Sequence, residues 1–146
     1  MIRADFEQSH ALDRPGDGVR VLLLAAADAV GRDALTARLR ATGAVVEPAC
    51  EIYSALSDLL EDPGDYGLFV MDCDGFGGLE AGRRAAALLG QLLHRVPVIL
   101  VTRDCAEQRF PDDWREPVVL RAPVSAISLR VGMEQLLHLR FDWDRA

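Results

Sequence analysis

Five short apolar runs, at residues 19–25, 44–50, 66–71, 96–101 and 118–121, recur along the chain, and four of the gaps and tails between them carry helical spacing. This alternation restricts the fold more than any other feature of the sequence. Runs this short and this continuously apolar suit strands buried on both faces. Residues 29–41, 52–60, 79–93 and 125–139 place their apolar side chains at helical spacing. Asp28 is positioned to cap the first helix and Gly43 to end it. Pro111 and Pro117 interrupt residues 105–116, so a helix there is short or distorted. Strands alternating with helices predict an α/β fold, with a doubly wound five-stranded parallel sheet in a three-layer sandwich.

The 146 residues suit one such domain. Residues 1–18 lack periodicity and read as a flexible leader, residues 19–140 as the domain, and residues 141–146 as a short C-terminal tail. No apolar run approaches the length of a membrane span and no secretory signal is visible. A net charge of −7 argues against nucleic-acid binding, which needs clustered basic charge. The cysteines, Cys50, Cys73 and Cys105, form no paired motif, which fits a reducing, cytoplasmic setting and buried small side chains. All 16 basic residues are Arg, so any chemistry that needs a Lys ammonium is excluded.

In open parallel sheets ligands bind beyond the carboxyl ends of the strands. The residues expected there are Ala26, Ala27 and Asp28; Asp72, Cys73 and Asp74; Thr102, Arg103 and Asp104; and Ala122 with Pro123. Gly75, Gly77 and Gly78 follow a strand but lack the spacing of a dinucleotide loop. His10, His94 and His138 fall away from this edge, which leaves no support for a hydrolase triad or a zinc site.

Residues 19–139 resemble the receiver domain of two-component response regulators, a flavodoxin-like (βα)5 fold. The resemblance lies in three motifs in order: Leu-Phe-Val-Met ending at Asp72, Val-Pro-Val-Ile-Leu-Val ending at Thr102, and Arg121-Ala122-Pro123. Arg32 and Leu35 fall where the family's first helix often has such residues. It implies that Asp72 is the phosphoacceptor, that Thr102 is the switch residue and that Mg²⁺ is the cofactor; Arg103, directly after Thr102, is by its position a further phosphate-contact candidate. It further implies a non-enzymatic, stand-alone signalling domain whose partner is a histidine kinase or a downstream regulator. A homodimer would form through the face of helix 4, strand 5 and helix 5, with Phe110 and Trp114 as exposed interface anchors.

The departures from the family matter equally. Its two metal-binding acids after strand one are matched by Ala26 and Ala27, its Lys by Ala122, and its aromatic switch residue by Val119. A metal site would have to be rebuilt from Asp72, Asp74 and Asp28. Arg103 is expected to pair with Asp72 and hold the site in one state, whereas Arg121 should aim to the opposite face. The expected protein is therefore a pseudo-receiver acting by protein–protein contact. The alternative is a small phosphatase-like enzyme with Asp72 as nucleophile and Asp74 as acid/base, on the Met-Asp-Cys-Asp-Gly motif.

Overall fold

The computed structural model describes residues 14–62, 64–92 and 96–145, with side chains for all of these except 92 and 141–145. His10 and His94 lie outside the described residues, as do the side chains of Phe141 and Trp143. The strands are β1 (Arg20–Leu24), β2 (Val45–Ala49), β3 (Leu68–Asp72), β4 (Val98–Thr102) and β5 (Val118–Arg121). The helices are α1 (Arg32–Ala41), α2 (Ile52–Glu61), α3 (Leu79–Leu92) and α4 (Ala126–Arg145), with a 3₁₀ turn at Cys73–Phe76.

All strand pairs are parallel, in the order β2-β1-β3-β4-β5. β1, β3, β4 and β5 read as nearly unbroken apolar runs because both faces of the sheet are covered there, whereas edge strand β2 carries Glu47 and is only partly buried. On one face Val21, Leu23, Val70, Ile99 and Leu120 meet Leu35 and Leu39 of α1 and Leu129, Met133 and Leu136 of α4. On the other, Leu22, Leu24, Phe69, Met71 and Leu100 meet Ala55 and Leu59 of α2 and Ala85 and Leu89 of α3. Each fully buried Leu or Phe contributes about 1.5–3 kcal/mol. Pro48 is tolerated because β2 is an edge strand, where a missing N–H breaks no ladder.

Several expectations are corrected. Asp28 does not cap α1: Ala29 N–H first closes a turn onto the Ala26 carbonyl at 3.0 Å, and the N-cap is Gly31, whose φ of 92° is left-handed and suits glycine. Of the expected leader, residues 1–13 lie outside the described residues; in residues 14–18, Gly16 N–H bonds the Thr42 carbonyl at 2.9 Å and Gly18 N–H the Gly43 carbonyl at 3.3 Å. Residues 141–145 continue α4 instead of forming a tail.

No helix follows β4, so the helix 4 component of the expected dimer face is missing, as the two prolines foretell. Instead Arg109 pairs antiparallel with Val119, through N–H···O bonds of 2.8 and 3.0 Å, and covers the outer edge of β5. Phe110 and Trp114 are not exposed anchors. Trp114 is 5% exposed in the core, Phe110 packs partly buried against it, and their apolar area is spent on folding. Among the described residues no helix is long and apolar enough to cross a membrane.

Candidate functional site

The parallel register brings the carboxyl ends of β3, β4 and β5 level, with Asp72 beside Val101 and Thr102 beside Arg121. These ends and the start of α1 enclose a pocket of about 350 Å³ lined by Ala26, Asp28, Asp72, Asp74, Arg103 and Ala122, among others. Of the residues expected at this edge, Ala26, Asp28, Asp72, Asp74, Arg103, Ala122 and Pro123 line the pocket, whereas Ala27, Cys73, Thr102 and Asp104 are not part of its lining.

Asp72 ends β3 half-buried. Burial raises its carboxyl above the ordinary value, opposed by the Asp74 backbone N–H that bonds it; the Asp74 charge adds to the rise and the Arg103 charge opposes it. Asp74 lies in the 3₁₀ turn and reaches across to β4. Its Oδ1 accepts the Thr102 hydroxyl at 2.7 Å and its Oδ2 accepts the Arg103 backbone N–H at 2.9 Å. Thr102 is fully buried, and its Oγ1 also accepts the Asp104 N–H at 3.1 Å.

The expected Arg103–Asp72 ion pair does not form. Among the described residues the Arg103 guanidinium makes no salt bridge, and it acts on Asp72 only through longer-range attraction. Its backbone N–H is held by Asp74 instead, not by Asp72. Arg121 turns away from the pocket, as strand alternation requires. Its guanidinium donates to the Cys105 carbonyl at 3.2 Å and to the Ala106 carbonyl. Ala122, joined to Pro123 by a cis peptide bond, donates its N–H to the Thr102 carbonyl at 2.9 Å.

The donor set does not fit Mg²⁺, which demands near-octahedral oxygen ligation. Asp28, Asp72 and Asp74 line the same pocket, yet among the described residues no three acid, His or Cys groups are arranged to hold a metal ion. Both Asp74 oxygens are engaged by protein donors. The turn also packs tightly where the family has an acid: a Cβ on Gly75 would lie 2.8 Å from the Ala26 Cβ. The same engagement of Asp74 removes support for its role as a phosphatase acid/base.

Sequence reasoning named Asp74, Thr102 and Arg103 separately and missed their mutual contact. The available signal was the adjacency of β3 and β4, which puts the residues just past one strand end beside those just past the other.

No protein-family model matches the sequence, and no curated protein shows significant similarity to it. Solved structures do match. A response regulator receiver domain protein from Clostridium thermocellum superposes with a TM-score of 0.67 at 15% identity, covering 86% of this chain and 98% of that one. A response regulator receiver protein from Sinorhizobium medicae gives 0.64 at 20% identity, over 84% and 96%. A chain from the complex of histidine kinase ThkA with response regulator protein TrrA gives 0.61 at 20% identity, over 82% and 98%. The chain has the fold of response-regulator receiver domains.

Proposed function

We propose that the chain is a receiver-like signalling module of a two-component or phosphorelay system, acting by protein–protein contact rather than by catalysis. The observation that carries this reading is the receiver fold with its acceptor-position Asp72 retained at the pocket, while the groups that would drive phosphoryl transfer are replaced or engaged elsewhere. Bringing a phosphoryl group to a carboxylate gathers negative charge, so the chemistry depends on placed cations. Here Ala26, Ala27 and Ala122 supply none, and Arg103 forms no ion pair with Asp72. A signal then passes by binding.

The neighbouring complex of a histidine kinase with a response regulator supports a protein of either kind as partner. Ile127 and Val131, one turn apart on α4, are 76% and 42% exposed and offer apolar contacts to such a partner or to a second copy. Intact mass after incubation with a small phosphodonor and Mg²⁺, for wild type and Asp72→Ala, tests the reading. No mass gain is expected in either protein. A gain of one phosphoryl group in wild type, absent from the variant, would show a phosphorylatable receiver and overturn the pseudo-receiver form.

A further inference from the structure

Thr102 and Arg103, the residues expected to contact a phosphoryl group, already have their hydroxyl and backbone N–H engaged by Asp74. Thr102 commits its one hydroxyl hydrogen to Asp74 Oδ1 at 2.7 Å, and the Arg103 backbone N–H goes to Asp74 Oδ2 at 2.9 Å. A carboxylate with one donor on each oxygen satisfies these groups by the same charge-assisted bonding that a phosphoryl oxygen would supply. The clamp sits at the root of a segment fastened along its length. Arg121 holds the Cys105 and Ala106 carbonyls. Gln108 donates to Ser128 Oγ at 3.1 Å and accepts the Arg121 backbone N–H at 3.0 Å. Arg109 pairs with Val119, and Gln135 donates to the Phe110 and Pro111 carbonyls. From Thr102 to Pro111 the chain is thus tied in turn to the 3₁₀ turn, β5 and α4.

We propose that Asp74 is a permanent internal substitute for a phosphoryl group, holding Thr102 and the Arg103 amide in the engaged arrangement whether or not Asp72 is modified. Residues 103–111 then keep one arrangement against β5 and α4, and a change at Asp72 is not passed on through them. This rests on the receiver-like reading of the site and specifies how that site is regulated.

The test is amide hydrogen exchange by NMR on wild type, Asp74→Ala and Asp74→Asn, each with and without inorganic phosphate. Removing the carboxylate frees two donors and speeds exchange at Arg103 and Asp104 by about tenfold or more, since a hydrogen bond to a charged group is lost. The effect spreads into residues 105–111. Asp74→Asn, which keeps the shape and one acceptor oxygen, falls between, and it carries the comparison if the Ala variant does not fold. Phosphate slows exchange again in Asp74→Ala and leaves wild type unchanged.

Wild-type exchange in both variants overturns the proposal. So does a phosphate response in wild type equal to that in Asp74→Ala. No kinase or partner enters this measurement, which keeps the two readings separable. A phosphoryl group accepted by Asp72, with the Thr102 and Arg103 resonances moving, would overturn the fixed state and support a working receiver. Failure of every protein partner would count against the signalling reading and leave the clamp in place.

Discussion

Asp72 keeps its place at the end of β3 at an electrostatic cost. Its carboxyl is half-buried, and burial holds its pKa above the ordinary 3.8 of an unfolded Asp, against the opposing bond from the Asp74 amide. A folded value above the unfolded one gives stability that is fully present below 3.8 and is lost as pH rises through the folded value. Asp72→Asn removes the buried charge while keeping the shape. The variant is expected to be more stable than wild type at neutral pH, with the difference in Tm shrinking as pH falls from about 7 to about 4. A difference of equal size at both ends would show that the charge is not responsible.

The helices show how far a local rule carries. Gly82 and Gly90 both lie inside α3, where Gly is about 1 kcal/mol worse than Ala. By propensity alone both should improve on replacement. In the folded molecule a Cβ on Gly82 would lie 2.4 Å from Cys73 Sγ and 3.1 Å from Leu100, whereas a Cβ on Gly90 meets nothing within 4 Å. Gly90→Ala is therefore expected to stabilise by about 0.5–1 kcal/mol. Gly82→Ala is expected to destabilise by about 1–3 kcal/mol through overpacking. Urea denaturation of the two variants checks both signs. The missing glycine at 82 would also push Cys73, and with it the turn that carries Asp74, so a change in the exchange of the Arg103 amide should accompany Gly82→Ala.

At the scale of the whole molecule the absence of Lys makes alkaline titration unusually simple. Below the range of Arg, the fold raises two groups among the described residues, Cys73 and Tyr66. Burial pushes the Cys73 thiol from 9.0 up to about 12. Burial and the bond to Glu47 push the Tyr66 hydroxyl from 10.0 up to about 12. Both folded values exceed the unfolded ones, so the unfolded chain releases these protons first. The stability these two groups contribute is full below about pH 9 and falls as pH rises towards 12. Urea midpoints measured across this range are expected to decline, and Tyr66→Phe to flatten the decline above about pH 10. A flat profile in wild type would show that neither group is held protonated by the fold.

The sequence by itself determined the α/β alternation, because strands covered on both faces must be apolar throughout and their runs are visible locally. Residues 118–121 were legible as β5 to the residue, and the prolines already excluded a regular helix at 105–116. The absence of side-chain oxygens after β1 was equally plain, since Ala26 and Ala27 have none to offer. Tertiary structure decided the rest. Asp74 and Thr102 are 28 positions apart, and only the pairing of β3 with β4 makes them partners. Trp114 reads as a surface anchor until the β4–β5 segment folds over β5 and buries it. Local spacing encodes which side chains share a face. It does not encode which strand ends lie side by side, and the site is built from those ends.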